Sequence, residues 1–220
     1  MATLMIDAGP TTPDALVTRT GGLPLAPPGT EWPTCASCGG SMQFLAQILL
    51  NDVANSTGST AGPDRGILAL FACQNDPGMC EDWDPTAGGN RALLLLTAGL
   101  QPLPLPRLDD GADETVLVLG AVRAVITEHD SNPDYDEARE AWAARTGRLD
   151  SSVLGQLGGT PAWIQGDETP ACPHCAHPMP LAVQLEEGPD HSTAMNFGTG
   201  GCAYAFACEP CAQTAFLWQC

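Results

Sequence analysis

Eight of the ten cysteines in this 220-residue chain fall into two sets of four. The first set is Cys35, Cys38, Cys73 and Cys80; the second is Cys172, Cys175, Cys208 and Cys211. Each set opens with Cys-x-x-Cys, a spacing that lets two thiolates on one tight turn reach the same ion. Four soft thiolates in tetrahedral array suit a structural zinc, with Zn–S near ~2.3 Å and no coordination position left for water or substrate. The second set closes with another Cys-x-x-Cys, and the first with the wider "CQNDPGMC". The expectation is therefore two structural Zn2+ ions, one per set. The alternative is that one copy has degenerated and keeps bare cysteines in a core. His174 and His177 flank the second knuckle and either could stand in for a cysteine, but four thiols are already present, so both are read as exposed loop residues. Cys202 falls inside a strand and is read as a small buried hydrophobe. Cys220 falls at a strand end. A thioredoxin-like redox role would need a βαβ context, which the pattern lacks.

Other chemistry is hard to find. There is no nucleophile elbow, no phosphate-binding loop and no His-Glu-x-x-His, and the four histidines are scattered. No catalytic and no cofactor-binding residue is assigned, and the chain is read as not an enzyme. The alternative is an enzyme of unknown reaction with its site in a cleft between two repeats.

The elements that must position the cysteines are themselves duplicated. "PTCASCGGSMQFLAQ" (Pro33 to Gln47) is echoed by "PACPHCAHPMPLAVQ" (Pro170 to Gln184). "GGLP" (Gly21 to Pro24) is echoed by "GGTP" (Gly158 to Pro161), and "GILALFAC" (Gly66 to Cys73) by "GCAYAFAC" (Gly201 to Cys208). "RALLLLT" (Arg91 to Thr97) is matched to "TAFLWQC" (Thr214 to Cys220). Alternation puts Met42, Phe44, Ala46 and Ile48 on one strand face, and Met179, Leu181, Val183 and Leu185 on its counterpart. Those faces are expected to be core. Gln47 and Gln184 point the other way, and are read as solvated edge residues before hydrogen-bonding ones. Between the copies, "QPLPLPRLDDGADE" (Gln101 to Glu114) reads as a stiffened, acidic linker, and "TVLVLGAVRAVI" (Thr115 to Ile126) as β-rich. "SNPDYDEAREAWAARTG" has helix punctuation: Ser131 or Asn132 as N-cap, Pro133 in the first turn, Gly147 as the stop. Tyr135, Ala138 and Trp142 form a narrow apolar stripe that docks the helix on the sheets. The fold class is mainly β (α+β with few helices): two duplicated β-sheet halves, each with a zinc knuckle, plus one helix. The first repeat is placed at 15–126, and the helix with the second repeat at 127–220, packed as one unit.

Acids outnumber bases 26 to 8, for a formal charge of −18. Every base is arginine. Such a surface repels phosphate backbones, so a nucleic-acid partner is excluded, and it attracts a cation or a basic protein. Solubility alone explains the same charge. The opening "MATLMIDAGPTTPDAL" has no basic and apolar leader, and no run reaches membrane-spanning length. The expectation is a cytoplasmic protein with no membrane partner, where reduced cysteines favour metal over disulfides.

The combination of "GGLPLAPPGTEWPTCASCGGSMQFLAQILL", "GILALFACQNDPGMC", "GGTPAWIQGDETPACPHCAHPMPLAVQL" and "GCAYAFACEPCAQTAFLWQC" resembles the YwqG-like family of bacterial proteins of unknown function. It is also distantly similar to the programmed cell death protein 2 family of eukaryotes. That resemblance implies a duplicated, mostly β fold with no established catalytic residues. The eukaryotic family's role as dedicated chaperones of a basic ribosomal protein implies a protein partner, so the expected function is a zinc-stabilised interaction module, chaperone-like for a basic client. The oligomeric state is left open.

Overall fold

The computed structural model describes residues 1–58, 64–107, 116–190 and 192–220. The acidic end of the middle linker, 108–115, lies outside the described residues. In chain order the strands are β1 (Ala2–Pro10), β2 (Arg19–Thr20), β3 (Leu25–Ala26), β4 (Gln43–Leu49), β5 (Ile67–Ala72) and β6 (Asn90–Leu95). They continue with β7 (Gln101–Pro102), β8 (Arg123–Asp130), β9 (Val153–Leu157), β10 (Leu181–Glu186), β11 (Cys202–Cys208) and β12 (Gln213–Gln219). The helices are α1 (Leu50–Ser56) and α2 (Tyr135–Thr146).

Ten strands form one sheet in the order β12-β11-β10-β9-β1-β8-β2-β4-β5-β6, and β3 pairs with β7 separately. The order is symmetric about the β1–β8 pair. Each copy's leading strand is exchanged: β1 pairs with β9 of the second copy, and β8 with β2 of the first. The two leaders pair with each other antiparallel from Ala2↔Asp130 to Pro10↔Arg123. At the outer ends the sheet nearly closes on itself, where Thr214 Oγ1 of β12 donates to Ala92 O of β6 at 2.7 Å. The main core lies inside this curve and draws Leu45, Ile48 and Leu68 from one copy and Val183, Ala205 and Phe216 from the other.

The strands β4 and β10 are buried on both faces, and this changes the one-face expectation. In β4 the pairing with β5 shifts register between Phe44 and Ala46, and in β10 the pairing with β11 shifts between Leu181 and Val183. These are equivalent positions. A bulge flips side-chain parity beyond it. Met42 and Phe44 therefore pack around the first knuckle while Ala46 and Ile48 enter the main core. Met179 and Leu181 likewise pack at the second knuckle, and Val183 and Leu185 in the main core.

Gln47 and Gln184 are not solvated edge residues; both are fully buried. Gln47 Oε1 accepts from Leu25 N at 3.1 Å and Gln184 Oε1 from Ala162 N at 2.9 Å. Leu25 and Ala162 are the residues after the two Gly-Gly-x-Pro turns, so each glutamine ties its turn to the sheet. Arg19 and Gln156 repeat the pattern one layer over, donating to Leu23 O at 2.7 Å and to Thr160 O at 3.0 Å. Gly66 and Gly201 admit the last strand of each copy: a Cβ there would stand 2.4 Å from Leu95 O and 2.5 Å from Gln219 O.

The β6–β12 equivalence differs by one residue from the sequence match. Ala72 faces Asn90 and its counterpart Ala207 faces Thr214, so Thr214 corresponds to Asn90 rather than Arg91. Apolar runs such as "ALLLL" carry little register information, and the sheet supplies it.

The helix α2 docks on β1 and β9 through Tyr135, Ala138 and Trp142, as its stripe requires. Its N-cap is Asp134, whose side chain accepts from Glu137 N, rather than Ser131 or Asn132. Asn132 instead supports the cap, accepting from Asp134 N. Gly147 ends the helix in the left-handed region at φ 69°. The helix α1 was not expected from the sequence; it is short, and its buried Leu50, Val53 and Ala54 are too few to show a helical period.

Replacing Gln184 by Leu removes the acceptor for Ala162 N and for the buried Gln156 amide, and Gln47→Leu removes the acceptor for the buried Leu25 N–H. Each is expected to cost about 1–3 kcal/mol, read as a lower urea midpoint at unchanged m-value.

Candidate metal centres

Each centre is built from one turn and one strand end. In the first, Cys35 N donates to Gly40 O, Gly39 N to Cys35 O and Met42 N to Pro33 O, all at 2.9 Å. In the second, Cys172 N donates to His177 O, Ala176 N to Cys172 O and Met179 N to Pro170 O, all at 2.8 Å. The two knuckles are the same structure bond for bond. Gly39 takes φ 71°, and its counterpart Ala176 is held at φ 61°. That is a left-handed conformation that a residue with a Cβ adopts only when its surroundings impose it.

The third ligand position lies at a strand end. Cys73 directly follows β5, and Cys208 ends β11. The fourth comes from the following loop: Cys80 after six intervening residues, Cys211 from a 3-10 turn at Glu209–Cys211. The structure brings Cys35, Cys38, Cys73 and Cys80 together, and separately Cys172, Cys175, Cys208 and Cys211. Within each group the four sulfurs lie within 4.8 Å of one another. Cys38 Sγ stands 3.7 Å from Cys73 Sγ, and Cys175 Sγ 3.9 Å from Cys208 Sγ. A tetrahedron of sulfurs at a Zn–S distance of ~2.3 Å has edges of about 3.8 Å. The residues present therefore fit a tetrathiolate ion at both places.

The acidities follow from the same geometry. At Cys35 burial raises the thiol pKa, but N–H donation from Cys38 and Ser37 outweighs it and brings it to about 7. At Cys172 the N–H of Cys175, against burial and with the N–H of His174, brings it to about 6. The knuckle amides thus favour one thiolate in each centre. The last ligand behaves oppositely: burial, then the neighbouring sulfurs, push Cys211 up to about 12 and raise Cys80 as well. Four thiolates so close repel one another unless a cation neutralises them.

The centres differ in what surrounds them. Asn75 Nδ2 donates to Cys73 Sγ at 3.3 Å, to Cys38 Sγ at 3.6 Å and to Ser41 O at 3.1 Å. Its position in the second copy is Pro210, which has no donor to offer. Asn75 was not singled out from the sequence; its signal is its place two residues after a ligand in "CQNDPGMC". His174 and His177 belong to neither group, and the two groups found among the described residues are all cysteine. Cys202 is buried at the end of β11 opposite Cys208, its thiol raised by burial and then by Glu186. Cys220 is exposed.

A cleft of about 270 Å³ lies between α1 and the second copy, lined by Leu50, Val53, Leu181 and Ala207. The Arg65–Glu209 ion pair, at 3.1 Å, stands at its side. Its lining is mostly apolar and pairs no acid with a base suited to proton transfer. Among the described residues, no helix is long and apolar enough to cross a membrane.

The pattern defining the family described as "Domain of unknown function (DUF1963)" matches residues 18–213. A Salmonella typhimurium protein that carries the name "Uncharacterized protein YpfL" is 37% identical to the chain over 70 residues, which is 31% of this chain and 15% of that relative. The chain thus spans a small part of the curated relative it matches.

With a metal held by the second centre, ligation would contribute folding free energy, so Cys208→Ser is expected to release it and cost several kcal/mol. Cys220→Ser should stay within about 1 kcal/mol. Equal melting shifts for the two variants would contradict the grouping. Asn75→Ala should speed metal loss to a chelator at the first centre by about 10- to 100-fold, with the second centre unchanged.

Proposed function

The chain belongs to the family described as a domain of unknown function, DUF1963, and we propose that it is a zinc-stapled protein-interaction module whose partner is a basic polypeptide. The observation that carries this reading is the two four-sulfur groups, each within 4.8 Å. The donor set supports zinc: soft thiolates, no carboxylate or histidine, and sulfur spacings near a zinc tetrahedron. Four protein ligands leave no position for substrate, so the role of the ions is structural rather than catalytic. The ten cysteines, all without disulfide partners, favour a reducing, cytoplasmic setting.

The partner's chemistry is inferred from charge. With 26 acids against 8 arginines, the surface presents a negative field that steers basic chains toward it. The first turns of α2 carry Asp134, Asp136, Glu137 and Glu140, all exposed. The resemblance to the YwqG-like and programmed cell death protein 2 families adds the chaperone-like part of this reading.

Anaerobically purified protein is expected to carry two zinc ions per chain by elemental analysis; one or none would contradict the metal reading. For a basic partner recovered from the native cell, the association rate should fall steeply with salt, since exposed charges are screened beyond roughly 8 Å at physiological ionic strength. Replacing the four α2 acids by their amides should slow association and leave folding intact, because Asn caps a helix as well as Asp. A partner whose association ignores both salt and these substitutions would overturn the electrostatic part.

A further inference from the structure

The loop that delivers Cys80 to the first centre does not return directly to the sheet. It runs on through Glu81–Gly89 before β6 begins, and on the way it crosses to the opposite end of the sheet. Trp218 N of β12 donates to Trp83 O at 3.3 Å, and Trp218 Nε1 donates to Asp82 Oδ2 at 3.2 Å. The Trp83 and Trp218 rings meet edge to face at 6.2 Å. Asn90, the first residue of β6, holds the same loop by donating to Asp82 O at 2.8 Å and to Asp84 O at 3.0 Å. The loop is equally tied to the cysteine centre. Ala36 N in the knuckle donates to Gly88 O at 3.0 Å, and Cys73 N to Gly89 O at 2.8 Å. A Cβ on Gly89 would lie 2.3 Å from Cys80 O.

These contacts matter because β6 and β12 are the two ends of the ten-strand order, and no ladder joins them. The two strands pack directly on each other, and beside the Thr214–Ala92 bond the described hydrogen bonds between them and the loop pass through Asp82 and Trp83. The second centre is built differently. Its fourth ligand sits on a 3-10 turn whose hydrogen bonds stay local, Ala212 N to Glu209 O and Gln213 Nε2 to Cys211 O. Its ion pair to Arg65 reaches the segment before β5, not β6.

We propose that the first cysteine centre is the clasp of the barrel: metal bound through Cys80 fixes the loop that pins β12 to β6, and its loss frees the two ends of the sheet. This rests on the metal reading above. Unclasping exposes the outer edges of two apolar strands, Ala92–Leu95 and Ala215–Trp218, and free apolar edges pair with other chains. The two centres are thus unequal. The first governs the β6–β12 seam, whereas the second reaches the other copy through the Glu209–Arg65 ion pair, away from that seam. At the first centre only Cys38 reaches the surface, and at the second Cys175 and Cys211 are both partly exposed.

The test compares the full chain, loaded with zinc, with Cys38→Ser, Cys175→Ser and Trp83→Ala. Bound zinc is counted, and amide hydrogen exchange is followed in peptides covering β6 and β12. Cys38→Ser should hold one zinc and exchange at least about tenfold faster in β6 and β12, with β1 and β8 within about twofold of the parent. Cys175→Ser should hold one zinc and leave β6 within about twofold. Trp83→Ala should keep two zinc ions and still deprotect β12, which separates the clasp from the metal. Cys38→Ser with one zinc and an unchanged seam overturns the proposal and leaves the metal reading standing. A parent chain that holds no zinc overturns the metal reading. Trp83→Ala then decides whether the loop pins the seam at all, and an unchanged β12 ends the clasp. If Cys38→Ser does not fold, chelation of Cys175→Ser, whose single zinc is in the first centre, replaces it: release of that zinc should coincide with faster exchange in β6 and β12, and release without that change is again fatal.

Discussion

Four sulfurs within 4.8 Å of one another cannot all be charged unless a cation lies among them, because each added thiolate raises the cost of the next. Much of each half is organised around that constraint. The knuckle amides point inward and pull Cys35 and Cys172 toward the thiolate form, while burial and crowding hold Cys80 and Cys211 back. Around each group the sheet supplies a small apolar shell: Met42, Phe44 and Phe71 at the first, Met179, Leu181 and Phe206 at the second. These shells lie on the outer faces of strands whose inner faces fill the main core. The β-bulges in β4 and β10 make that division possible, because they turn one strand from serving a knuckle to serving the interior.

The exchange of β1 and β8 sets the relation between the copies. Each leading strand is bonded into the other copy's sheet, so neither copy keeps its own first strand pairing. The main core accordingly contains residues from both. Closure at the far side adds a second junction, where β6 and β12 pack on each other and a loop and two tryptophans bridge them without a backbone ladder. A central ladder has many hydrogen bonds to lose together, whereas a side-chain seam has few, and local opening follows the weaker junction.

The copies also show how one job is done by different residues. Arg19 and Gln156 both donate to the carbonyl that precedes the proline of Gly-Gly-x-Pro. Arg19 does so while fully buried, with further acceptance by Pro13 O, and burial lowers its pKa to about 10. After β4 the chain makes α1; after β10 the equivalent stretch is a loop in which Glu187 gathers the N–H groups of Phe197, Thr199 and Gly200. In both, a polar tie reaches the opposite copy: Arg65 to Glu209, and Asn196 to Gln74. Glu209 and Gln74 occupy matching positions just after the third ligand.

The duplication, the cysteine quartets and the docking stripe of α2 were legible because each is a local or periodic pattern. Cys-x-x-Cys is a property of one turn, and Tyr135, Ala138 and Trp142 of one helix. The mostly β character followed from short apolar runs between turns. Other features were not local. The buried roles of Gln47 and Gln184 depend on a turn some 22 residues away in each copy. The Asp134 cap depended on backbone angles that Ser131 and Asn132 equally allowed in sequence. The bulges, the one-residue register of β6 against β12 and the exchange of leading strands are set by which strands meet, and an apolar run states no partner. The seam at Asp82 and Trp218 joins residues 136 apart, and only closure of the sheet brings them together. Sequence thus determined which atoms can bind and which segments can be strands. Tertiary structure decided which strands pair, because pairing depends on the shape of a sheet that no single strand encodes.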